Sequence, residues 1–111
     1  GNMAGALLDI SKAIELSPGN SSFYLARATT LTRTGRPQEA LSDLETAERI
    51  TPHDEPRIWF QRFRALYALQ SPDAEDALQT AARLGSFSAR YVIEKLRSNG
   101  ADIEVQIEGT R

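Results

Sequence analysis

The sequence predicts an all-α chain of about six helices, stacked as antiparallel hairpins into a short α-solenoid and followed by a short extended C-terminal tail. Three observations carry that prediction. A shift of 34 residues lays the chain on itself, the apolar positions within each copy keep helical spacing, and glycine and proline fall where one helix must stop and the next begin.

Under that shift Ala6 falls on Ala40 and Ala74, Ile10 on Leu44 and Leu78, Ala13 on Ala47 and Ala81, and Leu16 on Ile50 and Leu84. Steps of four, three and three residues place each set on one face of a helix of about three turns. Alanine stands at two of these places in every copy, and a methyl side chain lets a neighbouring helix approach closely where a larger one would hold the axes apart. The spacing therefore predicts packed hairpins. In the best-preserved copy the partner helix is residues 22–34, with Tyr24, Ala28 and Leu31 on one side. Gly35 suits the end of that helix and Pro37 the first turn of the next, while Pro18 and Pro52 follow two of the helices at matching places.

Residues 21–54, on the strength of Tyr24, Ala28, Leu31, Gly35, Ala40, Leu44, Ala47 and Pro52, resemble the tetratricopeptide repeat, a helix-turn-helix unit of 34 residues. That resemblance implies a right-handed α-solenoid and divides residues 1–100 into four parts. Residues 4–20 are the second helix of a partial repeat, 21–54 a repeat, 55–87 a divergent repeat and 88–99 a capping helix, with 101–111 as the tail. In the divergent repeat a strict 34-residue shift puts Arg62 where a small residue belongs. Moving its first helix by one residue aligns Trp59 with Tyr24, Arg62 with Arg27 and Leu66 with Leu31, and a shorter turn at Gln70, Ser71 and Pro72 absorbs the difference.

A solenoid's last repeat has an apolar face with no neighbour, so it needs a cap. Ser88 reads as the N-cap of that helix, and Phe87 with Val92 has the spacing of a hydrophobic staple. Asn99 and Gly100 end it; Tyr91, Val92 and Leu96 are its candidate covering residues. Beyond it Ile103, Val105 and Ile107 alternate with Asp102, Glu104, Gln106 and Glu108, a strand period in an otherwise helical chain. A lone strand leaves its backbone groups unpaired. The candidate partners are the tail of a second molecule, the groove of this or another array, or a further domain; the alternative is a frayed tail. At the other end Leu7, Leu8, Ile10 and Leu16 leave apolar surface open, and the expectation is that the native polypeptide continues upstream.

Bulk composition narrows the function classes. The 111 residues are 41% hydrophobic and 25% charged, which suits a folded soluble chain. A net charge of -2 gives no general attraction to phosphate, although 11 of the 13 basic residues are arginine, so nucleic acid is not an expected partner. No apolar run approaches the length needed for membrane insertion. Cysteine is absent, which excludes disulfides and thiolate metal sites. His53, the single histidine, stands in an inter-repeat loop without the further ligands a metal needs, and it reads as a solvated residue. There is no Gly-rich phosphate loop and no serine in a nucleophile elbow, so the sequence carries no catalytic, cofactor or metal expectation. Asn20, Ser21 and Ser22 match a glycosylation acceptor and read instead as a helix cap.

What remains is binding. In the family that the chain resembles, the first helices of successive repeats line a concave groove that holds an extended peptide or partner helix. The matching candidates here are Leu25 and Thr29 from one repeat and Trp59, Phe60, Phe63 and Tyr67 from the next, an apolar and aromatic set. One subgroup of the family clamps a C-terminal carboxylate with lysine and asparagine. Leu25, Thr29, Trp59 and Phe63 offer neither, so that ligand is disfavoured. Arg27, Arg33, Arg62 and Arg64 are lesser candidates for an acidic partner. The expected function is a protein- or peptide-binding scaffold. The alternatives are a self-assembly element, a homodimer joined through the tail or the open N-terminal face, and a docking segment of a larger enzyme.

Overall fold

A computed structural model describes residues 2–52 and 55–99. Over these the chain forms α1 (Met3–Leu16), α2 (Ser21–Arg33), α3 (Pro37–Ile50), α4 (Glu55–Ala68), α5 (Ala74–Arg83) and α6 (Phe87–Asn99). No strand occurs among the described residues. His53, Asp54 and the tail from 101 to 111 lie outside them, as does Gly100. Consecutive helices pack on one another, and α2 also touches α4 across the array. The architecture is the all-α solenoid of antiparallel hairpins that the periodicity predicts.

The repeated alanines of α3 and α5 are buried, whereas α1 has no buried residue. Ala40, Ala47, Ala65 and Ala81 have no exposed surface, and Leu44 and Leu78 fill the space between them. Leu25, Ala28, Leu31, Ala40, Leu44, Ala47, Ile58 and Ala65 form one core cluster, with Leu7, Tyr24 and Leu41 packed on its edge. A second cluster gathers Leu78, Ala81 and Ala89 beneath Trp59, Phe60, Phe63, Val92 and Leu96. The fourth repeated column does not join either core. Leu16 is 85% and Leu84 40% exposed. Leu16 is the last residue of its helix and Leu84 the cap after its own, so both overhang their partner helices.

Three hairpin turns use one hydrogen-bond scheme. Arg36 N–H donates to the Leu31 carbonyl at 2.8 Å and Gly35 N–H to that of Thr32 at 3.3 Å, the paired bonds of a Schellman motif. Ser71 and Gln70 repeat this on Leu66 and Tyr67, and Ser86 and Gly85 on Ala81 and Ala82. Each turn has a residue in the left-handed region: Gly35 at φ 82°, Gln70 at φ 57° and Gly85 at φ 108°. The turns thus align Leu66 with Leu31 and Gln70 with Gly35, in the shifted register. Burial matches neither register throughout: Ala65 rather than Leu66 is enclosed, as the strict shift from Leu31 has it, but Trp59 and Arg62, which that shift lays on buried Leu25 and Ala28, are only half-buried.

Helix starts follow capping chemistry. Asn20 caps α2, its side-chain oxygen accepting from Ser22 N–H at 3.0 Å. Pro37 opens α3. The cap of α6 differs from expectation: Ser86 Oγ, not Ser88, accepts from Ala89 N–H at 3.0 Å. Phe87 is consequently inside the helix and 82% exposed, so it makes no staple. Ser86 closes the α5 turn and opens α6 at once, which makes this linker shorter than the sequence suggests.

Candidate protein-interaction groove

The helices α2, α4 and α6 stand side by side with α3 and α5 behind them, and their facing surfaces enclose a groove in two parts. Residues of α2, α4 and α6, with the start of α5, line the lower part, a cleft of about 670 Å³. Phe60, Phe63 and Tyr67 recur at three- and four-residue spacing along α4 and project as a ladder, with ring centroids 5.8 and 5.7 Å apart and planes tilted by 38° and 39°. Leu78 floors this cleft, Val92 and Leu96 form the wall from α6, and Arg33 and Arg64 stand at its rim. Tyr67 is 71% exposed, large for an aromatic ring, and Phe60 and Phe63 are half-buried.

The upper part, about 420 Å³, continues from the first. Phe60 and Arg64 belong to both. Leu25 and Thr29 come from α2, Gln61 from α4, and Ser86 and Ser88 from the start of α6. Thr29 Oγ lies 3.1 Å from the Leu25 carbonyl oxygen and 3.1 Å from the Gln61 side-chain amide, which ties α2 to α4 across the groove floor. One end of the groove is therefore polar and the other apolar.

Five of the six candidate residues share this surface. Leu25 is almost wholly buried and acts as floor, Thr29 is a polar floor residue, and Phe60, Phe63 and Tyr67 form the ladder. Trp59 lines neither part. The Arg62 guanidinium lies 4.7 Å from its ring centroid and reaches Glu48 of α3 at 2.6 Å, so ring, cation and carboxylate bind α4 to the helix before it. Helical spacing separates Trp59 from Phe60 by about 100° but from Phe63, four residues on, by only about 40°, so spacing alone did not place Trp59 outside the groove.

The arginines divide in the same way. Arg27 donates from Nε and Nη2 to both carboxylate oxygens of Asp43 at 2.8 Å, and from Nη1 to Ser11 at 3.3 Å. The Asp43 hydrogen bond holds its guanidinium above the ordinary arginine range although partial burial opposes this. This bidentate pair joins α1, α2 and α3 beneath a second, polar cleft of about 530 Å³. Three of the five N–H donors of Arg27 are engaged within the fold, and its role is structural. Arg27 and Arg62 thus serve the fold; Arg33 and Arg64 face the groove.

No group of three or more metal-ligating side chains comes together among the described residues, and no described helix is long and apolar enough to cross a membrane. No buried side-chain polar atom among them lacks a hydrogen-bond partner.

Comparison with known proteins agrees with this architecture. The family model of the tetratricopeptide repeat matches residues 10–42. The DnaJ homolog subfamily C member 7 homolog of Schizosaccharomyces pombe is 28% identical over 130 aligned positions, covering 96% of this chain and 27% of that protein. Sperm-associated antigen 1 of Mus musculus is 40% identical over 52 positions, 47% of this chain and 6% of that protein. The chain therefore spans about a quarter of the first relative's length and much less of the second's. No solved structure gives a significant match.

Proposed function

From the premise that the chain belongs to the tetratricopeptide repeat family, whose repeats are protein-interaction modules and generally non-catalytic, we propose that it binds an extended segment of a partner protein in the groove of α2, α4 and α6. The observation that supports this most directly is the aromatic ladder of Phe60, Phe63 and Tyr67 beside the apolar wall of Val92 and Leu96. Rigid rings on a concave surface give large contact area for little lost side-chain entropy. A fitting segment carries apolar side chains for the lower cleft and an acidic or hydrogen-bonding group for Arg64, Gln61 and Thr29. The relatives lend only the family; their own partners are not carried over.

The test is affinity capture with the wild-type chain and with Phe63→Ala and Tyr67→Ala, each checked for an unchanged helical spectrum. Truncating an anchor of this kind costs about 2 kcal/mol, roughly a 30-fold loss of affinity. Capture of every partner at wild-type strength by both variants would count against the groove. Trp59→Ala is the control outside the groove, and its main effect is expected on stability.

A further inference from the structure

The chain itself contains a segment whose pattern fits the lower cleft. In residues 101–111 Ile103, Val105 and Ile107 alternate with Asp102, Glu104, Gln106 and Glu108. An extended chain sets alternate side chains on one face about 6.6 Å apart, and the rings of the ladder are 5.8 and 5.7 Å apart. Three apolar side chains thus meet three rings at nearly the same repeat. The lengths agree as well: from Phe60 to Tyr67 a helix rises about 10 Å, and residues 103–107 extended span about 13 Å.

Charge and position point the same way. Arg33 and Arg64 outnumber the one carboxylate, Glu75, among the residues lining the cleft, and the tail's polar residues include Asp102, Glu104 and Glu108. The tail also starts beside the cleft, because Leu96, a wall residue, stands three positions before Asn99, where α6 ends. Residues 100–102 supply up to about 10 Å of reach, and Gly100 permits the reversal of direction this needs.

We propose that residues 103–107 occupy the aromatic cleft of the same chain, running antiparallel to α4, with Ile103 nearest Tyr67 and Ile107 nearest Phe60. An outside segment then binds only by displacing the tail, which makes the tail a built-in competitor. Occupation within one chain is favoured over exchange between copies because so short a tether holds the tail near the cleft at an effective concentration on the order of millimolar. The inference rests on the groove reading for its site, but its test needs no outside partner.

That test is nuclear magnetic resonance on the full chain. Uniformly labelled protein is expected to show nuclear Overhauser contacts from the methyl groups of Ile103, Val105 and Ile107 to the rings of Phe60, Phe63 and Tyr67. An isotope-filtered experiment on mixed labelled and unlabelled chains is expected to show none. Val105→Asp should shift the ring resonances of Phe63 and Tyr67 and lower amide protection across 103–107 at least tenfold. Tyr67→Ala, a change at an exposed ring, should release the same amides from the groove side. Absence of the contacts, with Phe63 and Tyr67 resonances identical in wild type and Val105→Asp, would overturn the proposal; contacts found only between molecules would replace it with a pairing of two copies. A tail that stays free while Phe63→Ala still abolishes partner capture would refute this inference alone, and a docked tail with capture unaffected by the groove variants would refute only the outside-partner reading.

Discussion

The hairpin α2–α3 and the hairpin α4–α5 share a turn scheme and an alanine-leucine contact, yet they spend their side chains differently. In the first, Arg27 locks Asp43 with two hydrogen bonds and Gly35 takes the left-handed turn position without strain. In the second, the corresponding arginine stacks on Trp59, Gln70 holds the left-handed position, and three aromatic rings face outward from α4. The first hairpin is built for cohesion. The second gives up some cohesion to present a surface, which is why the candidate site lies on it.

That contrast breaks most readily in the two cores. Leu44→Ala removes a fully buried side chain from a cluster in which four of the eight buried members are alanines, whose methyl groups cannot swing into the space, and it should cost about 4 kcal/mol in denaturant unfolding. Leu78→Ala, at the equivalent position, lies under half-buried Phe60 and Phe63, which can settle into the void. Its cost should fall nearer about 2 kcal/mol. Equal losses would show that the ladder is as rigid as the alanine core.

The ion pairs come next. Asp43→Ala strands Arg27, whose side chain is 27% exposed, and should cost about 2 kcal/mol. Glu48→Ala leaves Arg62 still resting on Trp59, and because the Glu48 side chain is 40% exposed the loss should stay below about 1 kcal/mol. A smaller exchange tests the turns. Gly35→Ala meets no steric obstacle, so its cost is conformational and about 1 kcal/mol, while Gln70→Gly should stabilise by a similar amount. Thermal melts of the two variants should move in opposite directions.

The smallest effect belongs to the surface pair of Arg36 and Glu39, 2.7 Å apart at the start of α3. The hydrogen bond from Arg36 holds the Glu39 carboxyl below its ordinary range. A depressed carboxyl contributes stability that is present above its unfolded pKa and lost as pH falls through the folded one. Glu39→Gln should therefore lower the melting temperature slightly at neutral pH and not at all in strong acid.

Much of this was legible in the sequence, and the reasons differ by element. The alanine columns reported helix contacts because small residues at fixed spacing have few other uses. The same apolar pattern misled at Leu84, since periodicity records a face and not where that face runs out of neighbours, whereas Leu16 is open as expected of an uncovered first helix. Ser86 and Ser88 are equally good caps by composition, and only the tightness of the Gly85 turn decides between them. In the groove, the aromatic character of α4 was evident. What the sequence left open was its rotation, which sends Trp59 to the back with Arg62 and brings Phe60, Phe63 and Tyr67 to the front.

The contact between Thr29 and Gln61 has a mechanical meaning. A stack of hairpins behaves as a coil spring whose pitch is set where neighbouring inner helices touch, and a polar tie at that point acts as a stop. Severing it, as in Gln61→Leu, would let the spring open and the mouth of the groove widen, tuning the range of segments the array accepts while the aromatic ladder and the α6 wall stay unchanged.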